Sequence, residues 1–270
     1  MKIFFIGDIF GKPGRRVLKE RLGALKTAHA IDLVVANGEN AADGFGITAG
    51  LVEELCGAGV DAVTMGDHLL DKRELLLVLA AQPRLLRPVN YPSGAPGRGA
   101  AVYADARGRP VGVINVQGRV FMFKQTLDDP FPAARDAAAR LAAETKAILV
   151  DIHAEATSEK VALGWYLDGS VSAVIGTHTH VQTADERVLP KGTAYLTDAG
   201  MTGPADGVIG FERDAVVQKF VTQIAGQRAV ATGRTQLCGA IVDVDESTGR
   251  ARGIERIFET HEAIPAATTA

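Results

Sequence analysis

The chain has only two cysteines, Cys56 and Cys238, and their separation matches no spaced thiolate metal motif. The one disulfide they would allow is little argument for an oxidising compartment, and both read as buried small apolar residues. No apolar stretch approaches the ~20 residues that a membrane span requires. The first residues enter a strand at once, without the basic region, apolar core and small-residue cleavage site of a signal peptide, so cytoplasmic residence is the expectation. A strong charge of either sign is also missing: the formal net charge is −3 and the pI is near 6.1. There is no general basic field for gripping long nucleic acid or anionic lipid. Small anionic substrates stay open, because bound metal inverts the local charge. No repeat, low-complexity block or linker marks a domain boundary. With 270 residues, 47% hydrophobic and 23% charged, one large α/β domain over 1–270 is expected. Its ordered core should run to about residue 258, with the small uncharged tail from Ala263 to Ala270 frayed.

What is present begins with an alternation of strand and helix patterns. Strands are predicted at about 2 to 7, 32 to 37 and 60 to 65, with helices after Pro13, after Thr48 and from Asp71. This is the βαβ signature of a parallel sheet. Pro13 suits the first turn of its helix, and Thr48 suits the cap of the next, with Val52 and Leu55 on its buried face. From Leu85 to Gln117 strand follows strand, with Arg87 to Tyr91, Ala100 to Asp105 and Pro110 to Gln117 separated by glycine-rich turns. A second, more mixed sheet is predicted to start there. Helices are predicted over Pro132 to Ala143 and Glu155 to Leu167. Thr235 to Phe258 reads as an antiparallel hairpin turning at Glu246 to Gly249. The coarse architecture is two sheets packed face to face with helices outside.

Polar residues collect where these strands end. The run from Ile3 delivers Asp8, the run from Leu33 delivers Glu39 and Asn40, and the run from Ala62 delivers Asp67 and His68. Two further runs deliver His153, and then His178 and His180 around Thr179. In open α/β sheets, sites lie beyond the carboxyl ends of the strands. Read as an extended segment, the last run turns both imidazoles the same way, because side-chain direction alternates with a period of two. Both would then face one metal site. A lone histidine near a strand end is more often structural, but here five strands each end in metal-ligand chemistry. Two divalent ions about 3.5 to 4 Å apart need a bridging carboxylate, terminal nitrogen and oxygen ligands, and open positions for water and substrate. Glu39 is the natural bridge, and Asn40 offers a neutral amide oxygen.

The segments Gly7-Asp8, Gly38-Glu39-Asn40, Gly66-Asp67-His68, His153 and Gly176-Thr177-His178-Thr179-His180 resemble the spaced motifs of calcineurin-like metallophosphoesterases. More narrowly, residues 5–14, 151–160, 175–185 and 197–204 resemble the bacterial YmdB family, a likeness that runs to about Phe258. The resemblance implies a four-layer αββα sandwich and two divalent or trivalent metal ions, iron or manganese. It implies hydrolysis of small phosphodiesters by metal-bound hydroxide, with cyclic nucleotides such as cAMP as usual substrates. Carried over by position, Asp8, Glu39, Asn40 and His180 would hold the first ion, and Glu39, Asp67, His153 and His178 the second. His68 would be the proton donor, with a ligand or structural role for it left open. Two departures matter. The superfamily's Asp-X-His is here Asp8-Ile9-Phe10, so that histidine ligand is missing and Asn40 is expected to fill the vacancy. The usual Gly-Asn-His is Gly66-Asp67-His68. Three carboxylates leave two divalent ions one positive charge where an asparagine would leave two, so a less acidic water and more tightly held ions are expected.

Smaller features remain. Gly44-Phe45-Gly46 either brings backbone amides toward a phosphate or is a bend into a helix. The apolar connection from Arg119 to Lys124 either folds onto the core or forms a substrate lid, with Phe121, Met122 and Phe123 as a base-stacking surface. Asp198 ends a strand and would orient a metal-bound imidazole, or serve ordinary turn chemistry. The expected partner is a small phosphodiester or nucleotide substrate, with no membrane and no extended nucleic acid; a homo-oligomer is compatible with the sequence. Two alternatives to a phosphodiesterase are a regulatory nucleotide-binding protein with little turnover and a metal-dependent phosphomonoesterase or protein phosphatase.

Overall fold

Side-chain alternation along the first strand sets the layering. The computed structural model describes residues 1–224, 226 and 228–262, so the tail expected to fray lies outside the described residues. Strand β1 (Lys2–Ile6) turns Ile3 and Phe5 to one face of its sheet and Phe4 and Ile6 to the other. It is followed by α1 (Gly11–His29), β2 (Leu33–Asn37), α2 (Ala49–Gly57), β3 (Ala62–Thr64), α3 (Leu75–Val78) and β4 (Leu85–Leu86). These four strands pair in parallel, as the βαβ pattern predicted for the first three; Leu85 and Leu86 join this sheet rather than opening the second. Pro13 lies in the first turn of α1, and Thr48 caps α2 by accepting the Leu51 amide hydrogen.

The second sheet begins with β5 (Ala100–Ala104) and β6 (Pro110–Gln117), followed by α4 (Pro130–Leu141), β7 (Ile148–His153), α5 (Thr157–Tyr166) and β8 (Ala173–Thr177). After these come β9 (Arg187–Val188), β10 (Ala194–Leu196), β11 (Gly203–Pro204), α6 (Arg213–Thr222), β12 (Thr235–Val244) and β13 (Ala251–His261). One sheet has the order β11-β12-β1-β2-β3-β4, with β13 on β12; the other is β5-β6-β7-β8-β10-β9. The predicted hairpin is β12 and β13, and β12 lies antiparallel on β1, so the hairpin joins the first sheet.

Ile3, Phe5, Leu33 and Val35 of one sheet meet Val111, Val113, Leu149 and Ile175 of the other in a shared core. On the outer faces, Phe4, Ile6 and Val34 pack with Leu18, Leu22 and Leu55 of α1 and α2. Ile114, Val116, Ile148 and Val150 are covered by Ala134 and Ala137 of α4 and Leu163 of α5. The result is the expected αββα sandwich. Each large apolar side chain removed from water contributes about 1.5 to 3 kcal/mol, so these three cores hold the layers. Among the described residues no helix is long and apolar enough to cross a membrane.

Three local expectations are corrected. The helix predicted from Asp71 is reduced to α3, because the chain from His68 runs through successive three-residue turns, such as Asp71 N–H to the His68 carbonyl and Leu75 N–H to the Lys72 carbonyl. Arg87 to Tyr91 is not a strand of the second sheet: pairing stops at Leu86, in the first sheet. Pro88 has no N–H to donate, and the Arg87 guanidinium is committed to the carbonyls of Pro88, Ala95 and Pro96. Finally, α4 starts at Pro130, behind an Asp129 cap, and α5 at Thr157, each two residues from the predicted start.

Below the carboxyl end of the second sheet lies a buried ion pair. Lys160 of α5 places Nζ 2.8 Å from Asp198 Oδ2, and both side chains are shut off from solvent. The same oxygen accepts the Thr179 amide and hydroxyl, while Oδ1 accepts the Gly200 amide. Asp198 thus braces the turn carrying His178 and His180 without touching an imidazole, the turn role of the two alternatives. Lys160→Met strands a buried carboxylate and should cost about 3 to 5 kcal/mol in chemical denaturation. A loss below about 1 kcal/mol, the range of a solvent-exposed pair, would show that this charge is screened.

Candidate metal centre

At the end of β7, His153 is fully buried and held by a relay. Its Nδ1 lies 2.9 Å from Thr177 Oγ1, and that hydroxyl donates to Asp151 Oδ1 at 2.8 Å. The other Asp151 oxygen accepts the Thr64 hydroxyl at 2.5 Å and the Asn37 amide at 3.2 Å. Burial pushes the Asp151 carboxyl up to about 6, against the pull of His153 and the two hydroxyls. With the threonine hydroxyl committed to Asp151, the Nδ1 proton goes to Thr177 and the Nε2 lone pair faces inward. Sequence reasoning missed Asn37, Thr64, Asp151 and Thr177. The signal was a polar side chain inside a buried strand: Asn37 and Asp151 each stand two residues before a proposed ligand, and Asp151 shares its side of β7 with His153.

Four donor atoms, one each from Glu39, Asp67, His153 and His178, lie within 4.8 Å of one another. His153 Nε2 is 3.0 Å from Glu39 Oε1, 3.3 Å from Asp67 Oδ1 and 3.0 Å from His178 Nδ1. His178 Nε2 sits 3.1 Å from Glu155 Oε2, which turns its Nδ1 lone pair inward. Two imidazole lone pairs and two carboxylates cannot share so small a volume without a cation between them. Burial would lower the His153 pKa, but the Glu39 and Asp67 carboxylates raise it well above the ordinary range. Burial likewise disfavours the Glu39 and Asp67 anions, yet both carboxyls are held below their usual range, chiefly by His153. These donors fit a metal ion. Gly66 permits the approach, since a Cβ there would lie 2.1 Å from His153 Cδ2 and 2.4 Å from Glu39 Oε2.

Asp8, Asn40 and His180 form a second group beside Glu39. Asn40 Nδ2 approaches Asp8 Oδ1 at 3.4 Å, Glu39 Oε1 at 3.3 Å and His180 Nε2 at 3.1 Å. Two amide hydrogens face three acceptors. A half-turn of the amide, whose orientation is assigned from its hydrogen bonds, brings the oxygen to the same point, as a metal requires. His180 Nδ1 is 3.1 Å from the Ile209 carbonyl, which takes its proton and leaves Nε2 as a donor. Burial pushes the Asp8 carboxyl up, partly offset by His180 and His153.

The structure corrects the reason for expecting both late histidines to matter. Strand β8 ends at Thr177, and His178 and His180 take φ of 97° and 66°, so the segment is not extended. The two imidazoles face different groups: His178 joins His153, and His180 joins Asp8 and Asn40. A non-glycine residue in such a conformation costs on the order of 1 to 3 kcal/mol. Here it is held by Asp198 on Thr179 and by Asp8 Oδ2, which accepts the His178 amide at 3.2 Å.

His68 stands apart from the four clustered donors. Its Nδ1 is 2.5 Å from Asp71 Oδ2, its backbone amide donates to Glu39 Oε2 at 3.2 Å, and its ring meets Phe45 edge-on at 5.4 Å. It lines a cleft of about 320 Å³ together with Glu39, Asn40, His178 and His180. Phe45, Phe211 and Arg228 line it too, the guanidinium 5.9 and 5.7 Å from the two ring centroids. Phe121 and Phe123 point to solvent outside this lining and Met122 is buried, so that segment is not the expected stacking surface. Nor do the amides of Gly44 and Phe45 await a phosphate: they already donate to the carbonyls of Asn40 and Ala42.

Carboxylates and imidazoles gathered at the carboxyl ends of strands from two facing sheets define a hydrolase of the metallophosphoesterase type. A family model described as YmdB-like protein matches residues 4–257, and the chain belongs to that family. The 2',3'-cyclic-nucleotide 2'-phosphodiesterase of Bacillus subtilis (strain 168) is 50% identical over 258 residues, covering 96% of this chain and 97% of that protein. Among solved structures, a phosphatase from Mycoplasma pneumoniae superposes with a TM-score of 0.90 at 34% identity, covering 98% of this chain and 95% of that one. A hypothetical protein from Thermus thermophilus gives 0.87 at 40% identity, covering 97% and 100%.

The relay behind His153 makes a direct prediction. Thr177→Val removes the Nδ1 partner while keeping the shape, and should lower metal affinity about 10- to 100-fold with the fold retained. Titration of the purified protein with manganese, beside circular dichroism, measures both; unchanged affinity would take Thr177 out of the ligand support.

Proposed function

We propose that the chain hydrolyses small phosphodiesters, nucleoside cyclic phosphates foremost, at two metal ions that share Glu39. The observation carrying this reading is the position of Glu39 between two donor groups, with Asp67, His153 and His178 on one side and Asp8, Asn40 and His180 on the other. Mixed imidazole, carboxylate and amide ligands without a thiolate suit iron or manganese. Such a pair, when bound, supplies an acidified water as nucleophile and neutralises charge developing on the phosphate oxygens. The Bacillus relative's name supports cyclic nucleotides as the first substrates to test, with 2',3'-cyclic AMP beside 3',5'-cyclic AMP.

The remaining roles fall to this chain's own side chains. His68 is assigned protonation of the departing oxygen: Asp71 Oδ2 and the Lys124 ammonium, 2.5 and 2.6 Å from Nδ1, hold its ring, and the ammonium also lies 3.3 Å from Nε2. Phe45, Phe211 and Arg228 offer an apolar and cationic lining against which a nucleobase can stack.

The deciding measurement is kcat/KM of metal-loaded protein for both cyclic AMP isomers, a bis-aryl phosphodiester and an aryl phosphomonoester. Diesters should be preferred; a preference for the monoester throughout would replace this reading by a phosphomonoesterase. His68→Ala should retain metal and slow turnover about 10²- to 10⁴-fold, least for the activated aryl ester, which needs little protonation. Metal loss in that variant would make His68 a ligand instead. Phe45→Ala should lower kcat/KM for cyclic AMP about 5- to 150-fold, the equivalent of one lost base-stacking contact. The base-free diester should be affected less, and Phe121→Ala should change neither. Equal losses on both substrates would reject stacking on Phe45.

A further inference from the structure

The connection from β6 to α4 reaches the metal centre through one charged side chain. Its start is fixed where the Arg119 and Val120 amides donate to the Glu159 carboxylate. Its later part is fixed by Gln125, which accepts from Gln117 Nε2 at 3.3 Å and donates to the Asp67 carbonyl at 2.8 Å. Between these anchors, Lys124 places Nζ 3.1 Å from Asp67 Oδ2. The same ammonium is 2.6 Å from His68 Nδ1 and 3.5 Å from Asp71 Oδ2.

The two oxygens of Asp67 have different partners. Oδ1 faces His153 at 3.3 Å and His178 at 3.4 Å, inside the cluster, whereas Oδ2 faces Lys124. Only a carboxylate satisfies both sides. An amide at this position would turn its oxygen to the cluster and its NH₂ to the ammonium, donor against donor. Charge points the same way: Asp8, Glu39 and Asp67 bring three negative charges to the donor set, and Lys124 returns one positive charge.

We propose that Lys124 is a positioning residue of the metal centre: its ammonium holds the outer oxygen of Asp67, restricts that carboxylate to one-oxygen ligation, and offsets the charge of the third carboxylate. The inference rests on the reading of Asp67 as a metal ligand, and it assigns to the β6–α4 connection the setting of the charge that bound ions meet.

The test is a double-mutant cycle read as manganese affinity, by competition with a fluorescent chelator, on the full chain. Asp67→Asn should weaken Mn²⁺ binding by about tenfold or more, and Lys124→Met should tighten it by about tenfold, since one removes a negative and the other a positive charge near the ion. The double variant should return to within about threefold of wild type, because the two opposite charge changes cancel at the ion. Lys124→Arg keeps the charge and should keep both the affinity and the turnover of a bis-aryl phosphodiester. Lys124→Met should lose kcat by about tenfold with KM less affected. Lys124 is partly exposed, so these variants should fold, as circular dichroism can verify. Wild-type affinity in Lys124→Met, or a double variant as weak as Asp67→Asn, would overturn the proposal. A wild-type protein that takes up no manganese or iron would overturn the reading of Asp67 as a ligand, and the proposal with it. Metal uptake by wild type without compensation in the double variant would defeat Lys124 alone.

Discussion

Glu39, Asp67, His153 and His178 hold their donor atoms within 4.8 Å of one another in a buried space, an arrangement that repels itself unless a cation is present. Much of the surrounding structure can be understood as the means of enforcing that crowding. Asp151, Thr64, Asn37 and Thr177 lock His153, Gly66 leaves room for the ring, and Lys160 with Asp198 holds the backbone that carries His178. Few of these side chains resemble ligands themselves. They convert the stability of the packed sheets into a fixed geometry at the site.

The site spans the two sheets. Asp8, Glu39, Asn40 and Asp67 follow β1, β2 and β3 of one sheet, whereas His153, His178 and His180 come from β7 and the turn after β8 of the other. Asn37 and Thr64 from the first sheet meet Asp151 of the second, so a buried polar network runs beneath the donors across the apolar interface. The inter-sheet core of Ile3, Phe5, Val35, Val113, Leu149 and Ile175 sets the spacing between the two halves. Small changes in that core would be felt at the donors, because close-packed interiors transmit volume changes rather than absorb them.

The cleft above the donors has a mixed lining. His68, backed by Asp71 and Lys124, brings a titratable ring to it; Phe45 and Phe211 under Arg228 bring an aromatic surface. This division suits a substrate whose reacting phosphate and recognised base are distinct parts. The β6–α4 connection contacts the site through Lys124 and Gln125, not through its exposed phenylalanine rings.

The alternation of apolar residues in β1, β2, β7 and β8, and the helices between them, were legible because side-chain periodicity follows directly from backbone geometry. So were the strand-end donors, because each is delivered by its own local run. The same pattern gave the coarse layer order, and the family resemblance added an expected division of ligands between two ions. Local pattern could not show that His178 and His180 lie in a left-handed turn, since that conformation is held by Asp8 and Asp198, distant in sequence. Nor could it show that α3 would shrink to Leu75–Val78, or that Asp151 supports His153 through Thr177. Sequence by itself determined which residues arrive at the ends of which strands. Only the packing of one sheet on the other decided which of them meet, because hydrogen bonds and charge contacts act over a few ångströms between segments that the chain separates by up to 170 residues.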